Sequence, residues 1–193
     1  MNTVSPYTWT QFGGTFASSP IAFNAPSGGT AGFRIVAYDR AGNFDEAAPP
    51  APETAPEAST LIDLAAPVVT DNQTGDDTWR TAAGMAYNVD FSATGASNLD
   101  TAQYKVTSDP GQTGSVLKDW TTIASGIGAA SYAADWTVDF AALKSSFNYV
   151  SARVWTVAGT TTTANDVFYV KKDTSPPAAL DNQAGDNTWR KAA

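Results

Sequence analysis

Residues 86–93 read AYNVDFSA and residues 131–140 read SYAADWTVDF, and in both an apolar residue returns at every second position. Tyr87, Val89 and Phe91 therefore share one face, as do Trp136 and Val138 further along the chain. A period of two is that of a β-strand with one buried face, whereas an amphipathic helix has a period near 3.6. Both stretches therefore predict half-buried β-strands.

Strand signals continue on both sides of these stretches. Turn signals such as Asp109-Pro110-Gly111 separate segments that are rich in β-branched and aromatic residues. The further strands are predicted at 67–73, 102–108, 115–123, 149–157 and 166–172. Only AALKSS (141–146) has the composition of a helical turn. The sequence thus predicts an all-β chain with seven strands between residues 63 and 172, as in a β-sandwich.

A long repeat divides the chain. DLAAPVVTDNQTGDDTWRTAA at 63–83 returns as DTSPPAALDNQAGDNTWRKAA at 173–193, without a gap. The span from one copy to the next is that of a sandwich domain of about 100 residues, and is too long for a solenoid repeat. We therefore expect a complete domain at 63–172 and the opening strands of a next domain at 173–193.

Residues 1–62 match the second half of the complete domain. We accordingly interpret them as the C-terminal part of a domain whose first strands are missing. The matched pairs are SPYTWTQFG (5–13) with VLKDWTTIA (116–124), GFRIVAYDRAGN (32–43) with ARVWTVAG (152–159), and STLIDLAAP (59–67) with FYVKKDTSPP (168–177).

Three short segments carry a resemblance to a known family: AYDRAGN (37–43), IDLAAP (62–67) and VKKDTSPP (170–177). In these the chain resembles the bacterial immunoglobulin-like or fibronectin-type-III-like tandem repeats of large extracellular surface proteins. The resemblance implies an antiparallel immunoglobulin-like β-sandwich in each repeat and a location outside the cell or at its surface. It also implies a non-catalytic structural role in a stalk, fibre or filament. Asp39 and Asn43 have no equivalents in VAGTTTT (157–163), where the chain departs from the pattern.

Composition argues against several other functions. The net charge of −8 would repel a phosphate backbone, so no nucleic-acid partner is expected. Without His or Cys the chain lacks the commonest catalytic base, the thiol nucleophile and the imidazole and thiolate metal ligands. No phosphate loop or dinucleotide fingerprint occurs, and no apolar run reaches 18 residues. We expect neither an enzyme nor membrane insertion.

The second copy of the repeat needs a sheet to pair with. A sheet that lacks a strand exposes unpaired backbone groups, which an extended segment of another chain can cover. Leu180, Asn182 and Trp189 are the candidates for such an inter-chain strand, with residues 1–62 of a neighbouring chain as the acceptor. The expected partners are therefore copies of the chain itself or adjacent repeats of the same polypeptide. Counterparts of 84–110 are missing at both ends, which favours the second partner.

Asp39, Asn43 and Asp63 lie near the first joint between repeats and predict a modest calcium site there. Calcium takes six to eight oxygen ligands, so this set is incomplete without carbonyls or water. The alternative is that these side chains cap turns. Calcium is the one cofactor for which the sequence offers ligands.

The six Trp residues suggest a second function, that of an adhesin or carbohydrate-binding accessory module of a secreted protein. A sugar-binding face needs several exposed aromatic residues in a row. Trp136 and Trp155 instead have the spacing of core or half-buried positions, and Trp9 and Trp120 occupy matching places in two repeats. Packing is therefore the favoured role. The motif DNQ-x-GD-x-TWR, present at 71–80 and 181–190, is interpreted as a turn whose Trp79 closes the sandwich edge.

Overall fold

A computed structural model describes residues 8–11, 20–25, 27–45, 50–52, 54–73, 77–185 and 188–191. Within these ranges the regular structure is all strand apart from one 3₁₀ turn at Phe140–Ala142, so the all-β prediction is confirmed. The described residues include no helix that is long and apolar enough to cross a membrane.

In the part of the chain that the structure describes, ten strands form three sheets. In chain order they are β1 (Gly29–Phe33), β2 (Ala58–Ile62), β3 (Val68–Asp71), β4 (Trp79–Arg80), β5 (Val89–Ser92), β6 (Leu99–Asp109), β7 (Thr113–Ser125), β8 (Ser131–Tyr132), β9 (Ser146–Thr156) and β10 (Thr161–Lys172). The sheets have the orders β1-β2, β3-β5-β8 and β4-β10-β9-β6-β7. Neighbouring strands are antiparallel except β4 and β10, which run in parallel.

The core lies between the three-stranded and the five-stranded sheet. Tyr87, Val89 and Phe91 are buried on one face, as their alternation predicted. From the opposite sheet, Phe168 stacks on Tyr87 with ring centroids 4.4 Å apart. The facing strands β6, β9 and β10 contribute further buried residues, among them Leu99, Ala102, Val106, Val150, Ala152, Val154 and Val170. Burial of this apolar area is the main stabilisation of the sandwich.

The predicted strand at 131–140 is wrong over most of its length. Only Ser131 and Tyr132 pair as strand β8, opposite Ser92 and Phe91 of β5. Trp136 is nevertheless buried, and its backbone makes an isolated bridge to Tyr87. Side-chain packing, rather than a continuous ladder of hydrogen bonds, holds this segment against the core.

One strand is longer than predicted. The strand predicted at 166–172 begins at Thr161, because Thr161–Lys172 is one strand with a bulge between Ala164 and Phe168. Its β-branched Thr residues favour extended backbone, which explains the strand. Strand β4 has only two residues, and its parallel pairing with β10 depends on residues more than 90 positions away.

The N-terminal block contains one antiparallel pair. β1 pairs with β2 from Gly29 opposite Ile62 to Phe33 opposite Ala58. The predicted match of 32–43 with a strand holds only at its start, since residues 38–44 form a turn closed by a bridge between Tyr38 and Phe44. The predicted match of 5–13 lies largely outside the described residues.

Candidate functional site

The joint between the N-terminal block and the following domain comprises residues 63–67. It begins at Asp63, directly after β2, and Asp63 is buried. One carboxylate oxygen accepts the Ser97 N–H at 2.6 Å, and the other accepts the Ala65 N–H at 2.9 Å. Ser97 lies in the loop between β5 and β6, so Asp63 attaches the joint to the domain that follows it.

Threonine hydroxyl groups hold the rest of the joint. Thr160 donates to the Ala65 carbonyl at 2.9 Å, Thr94 to the Ala66 carbonyl at 2.7 Å, and Thr162 to the Pro67 carbonyl at 2.5 Å. Thr94 lies in the β5–β6 loop, while Thr160 and Thr162 lie at the start of β10. Two separate parts of the domain thus fix three successive carbonyls of the joint.

Gly95 is required by this arrangement. A β-carbon at position 95 would overlap the carboxylate of Asp63. The loop is braced from its other side by the Ala158 N–H, which donates to the Ser97 hydroxyl at 2.9 Å. The backbone of the loop can therefore approach Asp63 closely only because residue 95 has no side chain.

The three predicted calcium ligands lie in two different hydrogen-bonded structures. Asp39 and Asn43 belong to one exposed turn, in which the Asp39 carboxylate accepts the N–H groups of Ala41 and Asn43 and the Asn43 amide. Asp63 instead accepts the backbone N–H groups of the joint. Within the described ranges no group of three or more acidic residues is arranged to hold a metal. The calcium site remains a prediction, and the observed role of each carboxylate is to accept N–H groups.

These hydrogen bonds also set the acidity of the two carboxyl groups. The Ser97 N–H, followed by the Ala65 N–H, lowers the pKa of Asp63 below its ordinary value. The side-chain amide of Asn43 has the largest effect on Asp39 and lowers its pKa likewise. Each N–H group stabilises the ionised form, so folding favours ionised Asp63 and Asp39.

Asp63→Asn is expected to destabilise the protein more near neutral pH than at about pH 2.5. The pKa of Asp63 is lowered in the folded state, so its stabilisation is complete above the ordinary pKa of the unfolded chain. It is lost as the pH falls through the lower folded pKa. Urea unfolding of parent and variant at both pH values measures the difference, with the exposed Asp135→Asn as control. A deficit of equal size at both pH values would contradict the role of the ionised carboxylate.

The first copy of the repeated motif lies beside the last strand of the domain. Trp79 and Arg80 form β4 and pair in parallel with Lys171 and Lys172. The ring of Trp79 is 51% exposed and contacts Phe147 edge-on, with centroids 6.0 Å apart. Trp79 therefore lies on the outer face of the five-stranded sheet and does not close the sandwich edge as predicted.

The other Trp residues divide between core and outer face. Trp136 packs between Tyr104 and Phe168, as its spacing predicted. Trp155 has the same spacing but lies half-buried on the outer face. There the Arg153 guanidinium lies 4.6 Å from the Trp155 ring centroid and 4.0 Å from that of Trp120. Alternation alone does not say which face of a strand is the buried one.

The predicted inter-chain strand residues are exposed and outside any strand. Leu180 and Trp189 are 82% and 100% exposed, and Asn182 is exposed as well. Their counterparts in the first copy, Thr70, Asn72 and Trp79, lie in or beside β3 and β4, where β5 and β10 supply the neighbouring strands. The two copies thus differ in structure because only one of them has neighbouring strands. Pairing of the second copy with another chain remains a prediction.

Comparison with known proteins gives no match to a family model, a curated protein or a solved structure. Function is therefore inferred from the geometry of the joint and of the repeated motif.

Proposed function

We propose that the chain is a non-catalytic structural module of an extracellular, repetitive surface protein, with immunoglobulin-like domains joined end to end in a stalk, fibre or filament. The observation that carries the proposal is the joint. β2 ends at Ile62, and the next residue, Asp63, is already bound to the following domain. No flexible linker therefore separates β2 from the following domain, and a chain of such joints resists bending.

The strand order supports an immunoglobulin-like sandwich. That fold pairs its first, second and fifth strands in one sheet and its third, sixth and last strands in the other. β3, β5 and β8 correspond to the first group, and β6, β9 and β10 to the second. The parallel pairing of β4 with β10 fits a first strand that changes from one sheet to the other.

The N-terminal block supports a tandem arrangement. β1 and β2 pair antiparallel, as β9 and β10 do, and β2 has the repeat position of the end of β10. The free edge of β2 is then the place where Trp189 and Arg190 of another chain would pair. A domain assembled in this way would lack the counterparts of 84–110, which contain β5 and the central strand β6. We therefore propose adjacent repeats of one polypeptide as the principal partners, and exchange between chains as the weaker alternative.

Surface charge and composition agree with an exported structural role. The net charge of −8 favours solubility and discourages association with acidic surfaces. The absence of His and Cys removes the commonest catalytic groups from the whole chain. We accordingly propose a location outside the cell or at its surface and no enzymatic activity.

Asp63→Ala is expected to make the joint flexible. The chain has no Cys, so Leu61→Cys and Thr163→Cys can carry spin labels without background. Both positions are exposed, one in β2 and one in β10. We expect one narrow distance distribution by pulsed electron paramagnetic resonance, and a distribution about twice as broad after Asp63→Ala, because the joint then loses two hydrogen bonds.

Asp39→Ala is the matched control for this experiment. Asp39 also accepts backbone N–H groups, but within its own turn and away from the joint. A broad distribution in the parent protein would reject the rigid joint, and with it the proposed stalk.

A binding module is the second candidate, and the outer face of the five-stranded sheet favours it. Trp79, Phe147, Tyr149 and Tyr169 lie together there, and aromatic residues are enriched at binding surfaces. Neighbouring rings are inclined by 49° to 70°, however, so they do not form a flat platform for a sugar. Quenching of Trp fluorescence by soluble glycans that is lost in Trp79→Ala would favour this candidate.

A further inference from the structure

The first copy of the repeated motif connects the beginning of the domain to its last strand. Asp77 accepts the Lys171 ammonium group at 2.7 Å and the Tyr169 hydroxyl at 2.5 Å on the same oxygen. Two residues later Trp79 and Arg80 pair with the end of β10, and the Arg80 carbonyl accepts the N–H of Asp173 at 3.0 Å. Side chains and backbone thus join the same two segments.

We infer that this motif forms a latch that bears tension between the first and last strands of the domain. The latch comprises Asp77, Trp79, Phe147, Tyr169 and Lys171. The inference deepens the proposed function, because only an extended array exposes its domains to sustained tension. The latch itself belongs to one domain and can be tested whether or not the array exists.

The path of force through the domain supports this role. The chain enters at the joint, beside Thr160 and Thr162 at the start of β10. It leaves after Lys172, at the other end of the same strand, about 40 Å away for twelve extended residues. Because β4 pairs in parallel with the end of β10, a load between the joint and Lys172 pulls these two strands in opposite directions. Parallel neighbours loaded in this direction are sheared, so their contacts must break together rather than one after another.

The surroundings of Lys171 strengthen the ion pair of the latch. The Lys171 side chain is only 13% exposed. Its ammonium group lies 5.2 Å, 5.7 Å and 5.9 Å from the ring centroids of Phe147, Tyr169 and Trp79. Attraction to the ring faces adds to that of Asp77. The Asp77 side chain is 82% exposed, so solvent screens its charge, and the shielding comes from the Lys171 side alone.

A second ion pair of the domain provides the comparison. Lys118 and Asp139 are also 2.7 Å apart, and their side chains are 34% and 38% exposed. They connect the edge strand β7 with the residue before the 3₁₀ turn, and do not join β4 to β10. The turn itself contacts the end of β10, where Lys172 donates to the Phe140 carbonyl. The two pairs match in length and differ in their position relative to the force.

The repeats vary in the charged part of the latch. The second copy keeps Trp189 and Arg190 but has Asn187 at the position of Asp77. In the N-terminal block, Ser59 and Leu61 take the positions of Tyr169 and Lys171. The Trp-Arg pair is therefore common to both copies of the motif, and the Asp77–Lys171 ion pair is particular to the central domain. Asp77→Asn is accordingly a change that the chain already contains in its other copy.

Force measurements on the full chain test the latch. Handles attached through Leu64→Cys and Ser175→Cys place the load across the central domain, and the absence of native Cys makes the attachment specific. At constant force, Asp77→Asn is expected to raise the unfolding rate about tenfold, because a charge-assisted contact on the force path is lost. Asp139→Asn is expected to change that rate less than about twofold. Its loss of equilibrium stability in urea should be similar to that of Asp77→Asn.

Equal acceleration by both variants, or none by Asp77→Asn, would overturn the latch. Neither result depends on the hydrogen bonds of Asp63, since the load enters after that residue. A flexible joint in the spin-label experiment would reject the stalk and leave the latch standing, so the two proposals can fail separately.

Discussion

Asn148→Asp is expected to destabilise the central domain strongly near neutral pH, although the two side chains have almost the same shape. The Asn148 amide is fully buried, and its nitrogen donates to the carbonyls of Lys144, Ser146 and Val170 at 2.9 to 3.1 Å. Its oxygen accepts the Lys144 N–H at 2.9 Å. A carboxylate would direct a buried negative charge at three carbonyl oxygens. We expect a cost of about 3–5 kcal/mol, a large part of the stability of a typical domain.

Urea unfolding followed by Trp fluorescence measures this effect. The deficit should shrink in acid, where protonation removes the new charge and restores one donor. Asn182→Asp is the control, because Asn182 is exposed and the same exchange there should change stability by less than about 0.5 kcal/mol. Equal stability of the Asn148→Asp variant and the parent at neutral pH would show that the buried amide network is not needed.

Trp136→Ala is expected to have the second largest effect, a loss of about 3–5 kcal/mol. The indole ring stacks on Tyr104 with centroids 5.5 Å apart and also contacts Phe168 at 5.6 Å. Its nitrogen donates to the Val89 carbonyl at 3.2 Å and so ties the irregular segment after β8 to β5. Truncation would leave a cavity between the sheets and remove the main attachment of residues 133–140.

Trp189→Ala is the matched control for this prediction. Trp189 is fully exposed in the second copy of the repeat, so its truncation should leave the unfolding midpoint of a dilute sample unchanged. The difference between the two variants is the quantity to measure, by urea unfolding or calorimetry. Comparable losses from both would mean that the second copy packs on the domain in solution.

The alternation of Tyr87, Val89 and Phe91 was enough to predict the all-β fold and part of its core. Alternation records which residues share a face, and the more apolar face of such a strand is usually buried. It could not separate Trp136 from Trp155, because β9 is aromatic or β-branched on both faces. Which face of β9 is buried depends on the side on which the second sheet packs. The period of the sequence does not identify that side.

The joint and the latch could not be predicted because their partners are distant in sequence. Asp63 resembled a metal ligand because its neighbours in the sequence do not show that the Ser97 N–H, 34 residues later, donates a hydrogen bond to its carboxylate. Asp77 and Lys171 are separated by 94 residues. One signal was available, in that the motif around Trp79 recurs more faithfully than its surroundings. A repeated residue set points to a repeated contact, but only the fold identifies the partner.

The length of β10 determines how far each domain would extend the proposed array. At its beginning, the hydroxyl groups of Thr160 and Thr162 bind the joint through which the chain enters the domain. At its end, Lys171 and Lys172 pair with β4. The length of β10 therefore sets the distance between successive joints, and each added domain would lengthen the proposed array by about 40 Å. Reach from the surface would then be counted in whole domains, and a gene that gains or loses one repeat would change that reach by one fixed step.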